Sequence, residues 1–191
     1  MRVRQLALGG LFGGIALFVW SFVAHLPPVG TAGYDAVPPS ADRPALAALQ
    51  RAMHQRAIYF LPRLSLTSTP EERSEWTARY EAGPAALIVY DPHPGSRAIG
   101  GSVFTGQILI EFLTAVLAAF FGAAIAVSLS NTLRYWPRVC AVAAIGLIAT
   151  IDVDASYWSW YGFPTRFLLA QFVDHVGGWF LAGLILARLR R

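Results

Sequence analysis

FTGQILIEFLTAVLAAFFGAAIAVSLS, residues Phe104 to Ser130, carries a single ionisable side chain, Glu111, in a run long enough to cross the apolar core of a bilayer as one helix. About 20 helical residues span the ~30 Å of hydrocarbon. Arg134 and Arg138 follow it directly, and Trp136 to Asp154, which starts between them, and Pro164 to Ala187 form two further apolar stretches. A first lies upstream, from Leu6 to Ala24, behind Arg2 and Arg4. Arg188, Arg190 and Arg191 follow the last. These seven arginines have no acidic neighbour, whereas every Asp and Glu lies on the other side of the stretches or within them. Arg enrichment on cytoplasmic flanks orients helices in membranes, so the pattern predicts four crossings with both termini cytoplasmic.

Composition agrees. Across 191 residues the chain is 55% hydrophobic with a mean hydropathy of +0.49, well beyond an ordinary soluble domain. The basic pI near 9.6 is accounted for by orienting arginines, so nucleic acid is not an expected partner. All fifteen basic residues are Arg, which fits a G+C-rich bacterial genome and an inner-membrane location. The single Cys140 permits neither an intramolecular disulfide nor a Cys-based metal motif. The first apolar run ends in His25-Leu26-Pro27-Pro28 with no small-x-small cleavage signal, and it is longer than a signal-peptide core. It is read as an uncleaved anchor over residues 1–25.

Residues 26–102 are then an extracytoplasmic, periplasmic domain, and residues 103–191 hold helices 2 to 4. The fold class expected is an all-α membrane protein, a four-transmembrane-helix bundle with a small α+β domain inserted between helices 1 and 2. Within the insert, Pro27 to Ser40 reads as an extended linker and Arg43 to Arg56 as a helix. A second helix is bounded by Thr69, Pro70 and Glu72 at its start and by Gly83-Pro84 at its end. Ile58 to Leu61 and Ala86 to Tyr90 read as strands, and a strand, helix and strand in that order predict a parallel pair. So few large apolar residues give a marginal core, and Trp76 and Tyr80, one helical turn apart, are expected to cover the two strands.

The fourth span carries Gln171, Asp174, His175, Gly178 and Ala182 at three- and four-residue steps, and the second carries Gln107, Glu111, Thr114, Ala115, Ala118 and Gly122. Stripes of polar and small side chains pack helix against helix, so spans 2 and 4 are expected to meet along them. Carboxylates inside a bilayer cost at least about 2.5–3.5 kcal/mol, which makes Glu111, Asp174 and His175, with Gln171 and Gln107, the candidate binding cluster. Asp152 and Asp154 at the end of span 3 and Arg166 in the first turn of span 4 are each opposed by the helix dipole, which predicts an ion pair between them. The loop between those spans holds Tyr157, Trp158, Trp160 and Tyr161, read as an interfacial belt, with a binding shelf for a lipid, quinone or partner helix as the alternative. Gly9, Gly10, Gly13 and Gly14 form overlapping small-xxx-small pairs, a packing face within the bundle or between protomers.

No metalloprotease, nucleophile-elbow, Walker or dinucleotide motif occurs, and no cofactor or metal is assigned. The expected role is a structural, accessory or assembly component that is not an enzyme. Its partners would be the bilayer and another membrane protein, a lipid or a second copy. Proton or ion transport, or metal-dependent catalysis, at Glu111, Asp174 and His175 are the alternatives. Against transport, the inner halves of the spans offer only Ser128, Ser130 and Asn131 as polar stepping stones.

Overall fold

The computed structural model describes residues 3–63, 68–95 and 100–189. The chain forms two compact units, residues 1–35 together with 97–191, and residues 36–96. The first is built on α1 (Val3–Ala24), α4 (Ser102–Ser128), α5 (Tyr135–Ala149), α6 (Ala155–Tyr161) and α7 (Thr165–Leu186). The second holds α2 (Pro39–Ala52), β1 (Ala57–Leu61), α3 (Pro70–Ala82) and β2 (Ala86–Tyr90). Four helical segments are long and apolar enough to cross a membrane: Val3–Ala24, Ser102–Asn131, Tyr135–Tyr161 and Thr165–Leu186. Leu26 to Asp35 group with the helical unit and not with the insert. In that stretch the Tyr34 ring meets Phe167 edge-on at 5.8 Å, and turns replace the expected extended linker.

The small residues of α1 decide how the helices pack. A Cβ on Gly14 would lie 2.5 Å from Val116 Cα, and one on Gly10 would lie 3.2 Å from Phe120 Cα. One on Gly9 would lie 2.8 Å from Ala123 Cβ and one on Gly13 3.1 Å from Ala119 Cβ. The glycine face of α1 is therefore filled by α4 of the same chain. Helix α1 also runs along α7, and α7 along α5, so spans 2 and 4 touch far less than their stripes suggested. The reason is steric: four glycines admit a closer neighbour than the Thr, Ala and Gly positions of α4. Where α4 and α7 do meet, near the arginine-rich ends, Gly122 gives room to Trp179. The core there gathers Leu6, Ala123, Ala126, Val127, Val142, Ala182 and Leu186.

The third span is longer than its apolar run. After α5 the backbone widens into a π-helical turn over Thr150–Asp154, with the Ala155 N–H donating to the Thr150 carbonyl, and continues as α6 to Tyr161. The aromatic residues expected in a loop are thus helical. The stop comes at Gly162, whose φ of 69° lies in the left-handed region, followed by Pro164.

In the insert, Thr69 Oγ1 accepts from the Glu72 N–H at 3.3 Å while Glu72 Oε2 accepts from the Thr69 N–H at 2.8 Å, a complete capping box for α3. Helix α2 starts at Pro39, four residues before its expected position. The strands pair antiparallel, with Ala57 opposite Tyr90 and Leu61 opposite Ala86, and this corrects the parallel expectation. Leu61 at the end of β1 therefore lies beside Ala86 at the start of β2, and the chain returns to the end of the sheet that it left.

Candidate functional site

Three helices line an open cavity of about 260 Å³ in the half of the helical unit away from Arg134, Arg138 and Arg188, with Glu111 exposed at its rim. Glu111 and Thr114 reach it from α4, Trp20 and Ser21 from α1, and Asp174 and His175 from α7. The two stripes face each other across this space rather than in contact. Trp20, which the sequence patterns did not single out, closes the third side. Its indole N–H donates to the Asp174 carbonyl at 2.9 Å, and its ring occupies the surface left bare by Gly177 and Gly178. A Cβ on Gly177 would sit 2.6 Å from the indole, so α7 needs glycine there for the tryptophan to lie flat.

His175 is held from the other side by the third span. Its Nδ1 lies 3.0 Å from Asp154 Oδ2 and 3.4 Å from Thr150 Oγ1, and Thr150 in turn donates to the Gly146 carbonyl at 3.1 Å. Asp154 is 3% exposed, and apart from this imidazole nothing polar among the described residues reaches Oδ2. Thr150 and Asp154 share the face of the π turn that looks toward α7, while Asp152 between them is exposed. Gly146 permits the approach, because a Cβ there would collide with the His175 carbonyl. The spacing Gly146, Thr150, Asp154 at successive four-residue steps is the signal that could have marked this face in the sequence.

The ion pair expected between Arg166 and Asp152 or Asp154 does not form. Arg166 instead bonds Asp35, where the chain leaves the turns after α1. Asp154 is committed inward to His175 and Asp152 points away, and α6 carries the chain two turns beyond them before the connection to α7. Asp35 is the carboxylate left beside the first turn of α7.

Gln171 lines a second, water-sized cavity of about 30 Å³ with His25, Tyr34 and Asp174. Asp174 therefore borders both spaces. His25 Nδ1 donates to the Ser21 carbonyl one turn back at 2.8 Å. Gln107 is exposed on α4 and lines neither cavity. Tyr157, Trp158, Trp160 and Tyr161 all lie exposed on α6, with Trp160 the most open at 78%. Trp158 donates to Thr165 Oγ1 at 3.1 Å, and Tyr157 stacks on Phe163 at 5.4 Å.

Chemically, the larger cavity offers two carboxylates and an imidazole around room for several waters, with a third carboxylate behind the imidazole. Such a set can bind a cation or exchange protons locally. No group of three or more His, Cys, Asp or Glu side chains among the described residues is placed to hold a metal ion. No protein-family model, curated protein or solved structure matches this chain.

Proposed function

We propose that this chain is an accessory or assembly component of the bacterial inner membrane, with both termini cytoplasmic and residues 36–96 in the periplasm, that binds another membrane protein. The observation that carries this proposal is the bareness of the insert. Among its described residues Met53 alone is buried, and Ile58 and Val89, opposite each other on one face of the sheet, are 66% and 79% exposed. Trp76 stacks on Tyr80 at 5.0 Å and donates to the Pro62 carbonyl at 3.0 Å, yet these strand residues stay open. An isolated two-stranded sheet is marginal in water, and a unit of this size needs a covered core to hold its shape. A partner that covers the sheet supplies what the sequence does not. The open aromatic face of α6 is a second surface of the same kind.

The orientation is supported by the arginines. Gly9 near one end of α1 lies against Ala123 and Leu189, and Arg138 reaches Ala126 and Leu189, so Arg4, Arg134, Arg138 and Arg188 share one end of the helical unit.

Hydrogen exchange tests the proposal. Amides of Ala57–Leu61 and Ala86–Tyr90 are expected to exchange fast in the purified chain and slowly in native membranes. A photo-cross-linking residue at position 89 should give one discrete protein adduct. Slow exchange in the purified monomer, or no adduct in native membranes, would refute it.

A second function is favoured by one observation, the convergence of Glu111, Asp174 and His175 on a single cavity. It would bind a proton or a monovalent cation there. Asp174→Asn would then abolish cation-dependent changes in Trp20 emission and leave the cross-link at position 89 intact.

A further inference from the structure

At the arginine-bearing end, a cavity of about 610 Å³ opens between the α4–α5 connection and the end of α7. Arg134, Arg138 and Arg188 line it together with Ser130, Asn131 and Thr132. No carboxylate stands near in sequence, since none occurs between Glu111 and Asp152 or after Asp174. Three guanidinium groups and polar side chains, with no carboxylate among the described residues that line the cavity, make an anion site.

Arg138 shows that the site is built and not merely a charged surface. It is 4% exposed, and its Nη1 donates to the carbonyls of Ala126 at 3.3 Å and Leu189 at 2.6 Å. Its Nε is buried and has no hydrogen-bond partner among the described residues. The two carbonyl bonds fix this guanidinium in the wall of the cavity that Arg138 lines, so its charge is held in place.

The same residues lead into an apolar groove. Tyr135 and Arg188 line both the polar cavity and a groove of about 860 Å³ formed by α1 and α7, with Phe12, Ile15, Val19 and Leu181 along it. The guanidinium of Arg188 lies over the Tyr135 ring at 5.7 Å, and the Tyr135 hydroxyl donates to the Leu184 carbonyl at 2.9 Å, which fixes the junction. From Phe12 to Val23 the groove follows α1 for about 16 Å toward the end away from the arginines, and from Leu181 to Arg188 it follows α7 for about 10 Å at the arginine end. A cationic polar cavity that shares Tyr135 and Arg188 with an apolar channel has the shape and charge of one class of molecule.

We propose that the arginine end of the helical unit binds an anionic phospholipid, its phosphate against Arg134, Arg138 and Arg188 and one acyl chain along the α1–α7 groove. Free inorganic phosphate shares the headgroup chemistry but does not use the groove. The full chain, purified in mild detergent, is titrated by native mass spectrometry with phosphatidylglycerol, phosphatidylcholine and inorganic phosphate. Phosphatidylglycerol is expected to be retained at least about tenfold over phosphatidylcholine. The Arg134→Gln/Arg188→Gln variant should lose about 30-fold in that retention, with unchanged helix content, as two surface charges imply. Arg138 is left intact because it also holds helix ends. Ile185→Trp, which fills the groove, should lower phosphatidylglycerol retention without affecting phosphate. Equal retention of the two lipids, or no loss in the double variant, would overturn the site. Full displacement by phosphate with Ile185→Trp unaffected would reduce it to a phosphate site and overturn the lipid.

Discussion

Gly14→Ala puts a methyl group where no side chain can move aside to receive it. Its Cβ would stand 2.5 Å from Val116 Cα and 2.8 Å from Val116 N, both backbone. Ordinary contact begins near 3.4 Å, so α1 and α4 must separate by about 0.9 Å along an interface in which Gly9, Gly10 and Gly13 are also in close contact. Overpacking of this kind costs about 1–3 kcal/mol, offset by the ~1 kcal/mol that alanine gains over glycine in a helix. The matched control is Gly106→Ala on α4, where nothing lies within 4 Å and only the gain remains. The two variants should differ by about 2 kcal/mol in equilibrium unfolding by SDS in mixed micelles, with Gly14→Ala the less stable. Gly13→Ala should fall between them, because its nearest neighbours, at 3.0 and 3.1 Å, are side chains of Leu186 and Ala119. Equal unfolding of Gly14→Ala and Gly106→Ala would refute the packing of α1 on α4. A change in oligomeric state with unfolding untouched would place the glycine face between copies of the chain instead.

Asp154→Asn and His175→Gln should each destabilise the helical unit, and their double-mutant cycle should show a coupling of about 1–2 kcal/mol, since they meet at 3.0 Å with Asp154 buried. Arg166→Gln and Asp35→Asn are exposed partners and should couple by less than about 1 kcal/mol, with the effect lost at high salt, while Asp152→Asn should show no coupling to Arg166. Thr69→Ala removes one half of the α3 capping box and should cost about 1 kcal/mol, read as faster amide exchange over residues 70–73. Gly146→Ala should disturb His175 more than its small volume suggests, because the added carbon meets the carbonyl of that residue, and the imidazole NMR resonances should shift.

The features legible in the sequence were those encoded locally. Thr69, Pro70, Glu72 and Gly83 bounded α3 because capping is a matter of adjacent residues, and length and apolarity marked four candidate spans. Features that depend on which helix lies next to which were not legible. The stripes of α4 and α7 were paired with each other because both are polar, but the glycines of α1 claim α4 and Trp20 claims α7. Asp152 and Asp154 read as the end of a span since charge normally leaves the bilayer there, whereas His175 draws Asp154 inward and the helix runs on through the π turn. The direction of the strand pair was not legible either, since alternation of side chains does not encode whether two strands run parallel or antiparallel. Glu111, Asp174 and His175 drew notice by residue type, while Thr150 and Trp20, with ordinary helical side chains, did not.

Arg138 has a consequence for how the protein is made. Its guanidinium bonds the carbonyl of Ala126, made 12 positions earlier, and that of Leu189, made 51 positions later, so the first acceptor already exists when Arg138 is synthesised and the second does not. The second bond waits for the end of α7, and when it forms it ties the turn between α4 and α5 to residues made much later.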